Sequence, residues 1–280
     1  MDKLPSVTED AAAGEIAELY EDIRTVLNAP TVNLIWRHLA AFDGALGWVW
    51  KSLRPLYTDG YLGSAASSVR DFERPAKLAS FSIDFNTASL DTEAWLRIED
   101  VLKNYQRTNP ANLIALCALL AALEGQPASP APKTTAMANT EAAIGTLPEL
   151  IPESKMSAAL RADARALEAL GTGRPLGPVI AGVPRHLAHW PAFLSETVRG
   201  FRPYRDEIAS CIATVQDHAH QQGRALAGLI EIPSKTSSRP AVVEALETFA
   251  APHLISNYIV KVGLLLSALG PHTRGISAGR

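Results

Sequence analysis

Among the side chains that could do chemistry in this chain, the histidines are spaced most suggestively. His186 and His189 stand three apart, which places both imidazoles on one helix face and would suit two ligands of a metal ion. His218 and His220 form an H-x-H pair, a poor ligand spacing on a helix but a workable one elsewhere. Neither pair has an HExxH companion or a carboxylate-rich neighbour, so no metal is expected. Glu15, Glu18, Glu21 and Asp22 line one helix and read as a solvated face. Cys117 and Cys211 lie far apart in apolar runs, the pattern of two small buried hydrophobes rather than of a disulfide or thiolate site. No serine stands in a GxSxG context, and there is no phosphate loop or GxGxxG, so no cofactor is expected. Asn109 is different. Its amide could hold a water or a substrate oxygen, while the pair Asn109-Pro110 also reads as an N-cap followed by a first helical residue. Both readings stand.

The elements that must position these groups are helical throughout. Ile16, Leu19, Tyr20, Ile23 and Leu27 follow a 3.6-residue period, and Pro30 breaks the chain after them. Further helices are expected at about 32–41 and 44–53, the latter ended by Pro55, with weaker ones at 60–71 and 75–81. Residues 91–106 are strongly amphipathic, and a separate, wholly apolar helix is expected at 111–123. In the second part, helices are expected at 157–170, 176–190, 191–201, 205–231, 239–249 and 253–269. No strand alternation is visible. The fold class is all-α.

The chain also repeats itself. Residues 36–57 and 184–205 align without a gap at a shift of 148, with seven identities in 22 positions: Arg37/Arg185, His38/His186, Leu39/Leu187, Ala40/Ala188, Leu46/Leu194, Arg54/Arg202 and Pro55/Pro203. Pro30 falls on Pro178. At a shift of 146, Leu119, Leu120, Ala122 and Leu123 fall on Leu265, Leu266, Ala268 and Leu269. The expectation is two repeated multi-helix halves, 1–124 and 149–280, folded as a pseudo-dimer and joined by a Pro/Ala-rich linker at 125–148. Two like halves leave a cleft, and such clefts are preferred ligand sites. His186 has a mate in His38, which favours an architectural role. Asn109 falls on Ile255 and so belongs to one half alone.

The composition, 47% apolar and 20% charged over 280 residues, is that of a globular protein. A net charge of -3 without a basic block argues against a nucleic-acid partner. The N-terminal run lacks an apolar signal core and no apolar stretch reaches about 20 residues, so neither secretion nor membrane insertion is expected. The expectation is a cytoplasmic protein, with a homodimer left open.

Several of these runs, taken in order, resemble a known family. Gly14-Glu15-Ile16, Tyr20-Glu21-Asp22-Ile23-Arg24, the Ala29-Pro30 break, Asn109-Pro110 and Leu187-Ala188-His189-Trp190-Pro191 are similar to the group I (DehI-type) 2-haloacid dehalogenases. The resemblance covers most of the chain. It implies an all-α fold of two repeated halves with a site between them, and cofactor-independent hydrolysis of 2-haloalkanoic acids. In that reaction an aspartate activates a water that displaces halide at C2, and an asparagine helps hold the water. The implied partner is a small carboxylic acid, halogenated or not.

Carried over, the asparagine falls on Asn109. The aspartate, seven residues before the tryptophan of the LA-x-WP motif, falls on Val183, which cannot accept a proton; no Asp or Glu occurs from 169 to 195. A pocket aromatic falls on Thr31. A pocket tyrosine falls near Ala251, with Tyr258 two turns farther on. His186, one turn beyond Val183, is the one substitute base in reach. Three readings follow: a divergent enzyme with altered chemistry, a non-catalytic small-molecule binder, or a helical interaction protein.

Overall fold

The computed structural model describes residues 4–273, apart from 80, 86, 87, 126–143, 176 and 178. Most of the expected linker and Pro178 therefore lie outside the described residues. Among those described, every regular element is helical. The helices are α1 (Glu15–Leu27), α2 (Leu34–Leu39), α3 (Ala45–Thr58), α4 (Tyr61–Arg70), α5 (Ala76–Ala79) and α6 (Thr92–Leu123). Then come α7 (Ala158–Ala169), α8 (Gly182–Leu187), α9 (Pro191–Phe201), α10 (Arg205–Leu226), α11 (Arg239–Ala250) and α12 (Ile255–Thr273). Moved 148 positions along the chain, α2 covers α8 residue for residue.

The largest departure from expectation is α6. Asn109 is not an N-cap, and Pro110 does not open a helix; both lie inside one helix of 32 residues. The true cap is Asp91, whose carboxylate accepts the Ala94 N–H at 2.8 Å. A proline there deprives the Gln106 carbonyl of its helical donor, at a cost of about 3 kcal/mol. Against this, Leu113, Ile114, Leu116 and Leu119 are fully buried just beyond it. Each such side chain contributes roughly 1.5–3 kcal/mol, so burial outweighs the break. The same balance carries α3 past Pro55 to Thr58. Leu56 is buried, and Tyr57 packs against Trp50 and donates to Asn112 at 2.9 Å. The helix expected over 176–190 shortens to the six residues of α8.

The central helix is α6, packed against α12, α10, α4 and α11. One continuous apolar cluster draws on every long helix. The stretch Arg239–Gly270 contains a window apolar enough to cross a membrane, but 78% of that window is buried inside the fold, as in a core helix.

Candidate functional site

A six-residue helix cannot hold itself together, since nucleation costs more than so few hydrogen bonds return. What holds α8 is a set of acids at its start. The Ala181 N–H donates to Oε1 of Glu168 (2.7 Å) and the Ile180 N–H to Oε1 of Glu153 (2.5 Å). Arg165 bridges the two carboxylates, at 3.1 Å from Glu168 and 3.2 Å from Glu153. Before α2, Glu9 does the corresponding work, accepting from the Val32 N–H (2.8 Å) and from Arg24 (2.6 Å). Glu168 has no counterpart there. It is 1% exposed, and burial raises its pKa against the opposing pull of the Ala181 N–H and Arg165.

Once placed, α8 presents its first turn to α6. A Cβ on Gly182 would collide with the hydroxyl of Tyr105, so glycine is what lets the tyrosine lie against the helix. That hydroxyl sits 2.9 Å from Nδ1 of His186, and the Pro148 carbonyl is a further partner of the ring. Burial, the first cause, lowers the His186 pKa to about 4, so the imidazole is neutral near pH 7. His38 makes the analogous bond, from Nδ1 to the Pro5 carbonyl at 2.6 Å. His186 is therefore engaged in holding α8, the segment at Pro148 and α6 in register.

The third wall is α12. Tyr258 is buried, its hydroxyl has no hydrogen-bond partner among the described residues, and Glu168 and Tyr105 are its electrostatic neighbours. Below it, Lys261 donates to the carbonyls of Leu167 and Glu168, and Asn257 donates to the Glu168 carbonyl (3.1 Å). These two side chains satisfy the end of α7, where the helix leaves carbonyls unpaired. Burial pushes the Lys261 pKa well below the usual lysine range.

Tyr105 meets Gly182 and His186 of α8 and has Tyr258 of α12 as an electrostatic neighbour; Val183 follows Gly182 on α8, and Asn109 lies one turn beyond Tyr105 on α6. Val183 is 2% exposed, on the turn that Tyr105 covers. Thr31 is half-buried two residues before Asn33, whose amide donates to Thr108 of α6 at 3.1 Å. His189 faces away, bonding the Glu149 carbonyl, and His220 bonds Gln216. Among the described residues no group of three His, Cys, Asp or Glu side chains could hold a metal ion. Asp22, read as solvated, accepts from Trp50 (2.6 Å) and Arg54 (2.8 Å) and ties α1 to α3.

Two residues of this junction were not legible as site residues. Glu168 lies one position before the acid-free stretch, but it falls on the buried side of α7, four residues after Ala164. An acid at a core position was the available signal. Lys261 is the lone charge within the apolar run of α12. A surface groove of about 380 Å³ lies elsewhere, lined by Asp91, Glu93, Arg97, Pro148, His189 and Trp190 among others. It meets the junction only at Pro148, whose carbonyl is a partner of His186.

The fold is similar to solved structures of D-2-haloacid dehalogenases. A mutant in complex with D-2-CPA superposes with a TM-score of 0.75 at 17% identity, over 94% of this chain and 95% of that one. The enzyme in complex with L-LA gives 0.70 at 17%, and a further mutant 0.69 at 18%, with the same coverage. No family model and no curated protein matches the sequence. The chain therefore has the haloacid dehalogenase-like fold.

Proposed function

We propose that this chain holds a small carboxylic acid at the junction of α6, α8 and α12, as a divergent relative of the group I 2-haloacid dehalogenases, and does not hydrolyse the carbon–halide bond by their aspartate route. Two of the similar solved structures contain D-2-CPA and L-LA, which supports a short 2-substituted acid as the ligand class. The observation that carries the proposal is Val183. It is buried on the first turn of α8, at the position where the resemblance requires the water-activating acid.

Nothing beside it replaces that acid as it stands. The His186 ring is already engaged, with the Tyr105 hydroxyl at Nδ1 and with the Pro148 carbonyl. The carboxylate oxygens of Glu168 are held by the Ala181 N–H and Arg165. A positioned general base contributes typically about 10²–10⁴-fold, so its loss leaves little hydrolysis. Asn109 and the Tyr258 hydroxyl remain to hold ligand oxygens. The pseudo-dimeric, two-half arrangement belongs to the same proposal: Asn109, Glu168 and Tyr258 stand in one half only, and that asymmetry makes a single site.

The test pairs calorimetric titration with chloride release, using both enantiomers of 2-chloropropionate. The expected outcome is saturable binding without chloride release above buffer. Turnover by the unaltered chain would defeat the proposal, and so would absence of binding.

A further inference from the structure

Two arginines, one on α2 and one on α8, act on Tyr105 of α6, and among the described residues neither has a carboxylate hydrogen-bonded to it. Asn33 caps α2 and touches Thr108; Arg37 stands one turn farther along the same face of α2. Gly182 opens α8 and meets Tyr105; Arg185 stands one turn farther along the same face of α8. Tyr105 and Thr108 belong to one turn of α6, so both guanidinium groups are carried toward that turn.

Their electrostatics agree with this placement. Both arginines favour the ionised form of the Tyr105 hydroxyl, and Arg37 lowers the Arg185 pKa by repulsion, second to burial. Arg185 spends its Nε on the Ile151 carbonyl (2.9 Å). The Nε of Arg37 is buried and has no hydrogen-bond partner among the described residues. Among the described residues neither arginine forms a salt bridge. Glu153, the acid that attracts Arg185, is already shared between Arg165 and the Ile180 N–H.

Two half-buried like charges facing one turn cost free energy unless an anion sits between them. A buried guanidinium nitrogen without an acceptor adds the cost of an unmade hydrogen bond. A carboxylate relieves both, because its two oxygens can accept from two guanidinium forks at once.

Resting on the acid-binding reading above, we propose that Arg37 and Arg185 form the carboxylate subsite, holding the acid group of a small 2-substituted acid beside the Tyr105 hydroxyl and directing C2 toward Val183 and Asn109. The pair is the one place where the repeat itself makes the site: one arginine from each half, meeting at one ligand.

The experiment is calorimetric titration of the full chain with 2-chloropropionate and with 2-chloropropionamide, which has nearly the same shape and no charge. The acid should bind about tenfold or more tighter than the amide, the difference expected for charge-assisted hydrogen bonds. Arg37→Gln should shrink that difference by weakening the acid far more than the amide, and Arg37→Lys should restore part of it. Because the Arg37 side chain makes no hydrogen bond or salt bridge among the described residues, Arg37→Gln should unfold at the same temperature as the unaltered chain or higher; a purely structural arginine would lower it. Equal affinity for acid and amide in the unaltered chain overturns the subsite and leaves the pocket standing. Acid affinity unchanged in Arg37→Gln also overturns it. Failure of both ligands to bind the unaltered chain removes the pocket and the subsite together.

Discussion

At the scale of single residues, the junction is governed by which polar groups are neutral. His186 is depressed to about 4 by burial, whereas an unfolded chain titrates it near the ordinary 6.5. Between those values the unfolded state binds the proton and the native state does not, so stability rises with pH through this window and is lost as pH falls from 6.5 toward 4. The contribution is about 2 kcal/mol at pH 5 relative to pH 7.5. Denaturant unfolding at the two pH values should show this loss, and His186→Gln should shrink it. An equal loss in the variant would mean that other groups carry the pH dependence. Glu168 is raised by burial and works in the opposite sense: it stabilises the fold in its protonated range and loses that contribution as pH rises through its folded value. Both residues show what a sequence withholds. His186 was visible through its mate His38, but its Tyr105 partner is 81 positions away. Glu168 lies 15 positions before Val183 in the chain, and only the fold brings its carboxylate to the start of α8, through the Ala181 N–H.

At the scale of elements, most periodic helices were legible to within a few residues; the helix expected over 176–190 is only Gly182–Leu187, and two further departures fall at proline. Pro110 and Pro55 each read as a boundary, and each lies inside a helix that tertiary burial keeps intact. Local propensity was outweighed by packing, of α6 against α10 and α12 and of α3 against α1 and α4, which a local pattern does not contain. A pair of substitutions separates the two descriptions of α6. Asp91→Ala removes the true cap and should cost about 1 kcal/mol in denaturant unfolding. Asn109→Ala, at a mid-helix position where alanine is the better helix former, should leave stability unchanged or raise it by a few tenths of a kcal/mol. It should nevertheless weaken 2-chloropropionate binding. If Asn109→Ala costs as much stability as Asp91→Ala, Asn109 is holding structure rather than ligand.

At the scale of the whole molecule, the two-half plan read from the repeat does not translate into two independent cores. The core helix of residues 1–124 packs chiefly against α10 and α12, and α11 packs against α2. Calorimetry should therefore show one cooperative transition whose van't Hoff and calorimetric enthalpies agree; two separable transitions would argue for halves that fold alone. Two of the repeat's identities, His38 and His186, each bond the carbonyl of a proline in a preceding segment, Pro5 and Pro148. Of the proposed site, the sequence offered Asn109, where the repeat is broken, and Val183, where the resemblance is departed from. What remained hidden was the convergence of Arg37, Tyr105 and Arg185, because a one-dimensional alignment places the two arginines in equivalent positions without showing that they face one turn of α6. The central claim is that this scaffold keeps its acid-binding junction and lacks the group that activates water. The most direct measurement is chloride release from both enantiomers of 2-chloropropionate by the Val183→Asp variant, assayed beside the unaltered chain after binding has been verified in both. Release that appears only in the variant, and saturates over the same concentration range as binding, is the predicted result. Release by the unaltered chain, or none by a folded variant that binds the acid, would contradict it.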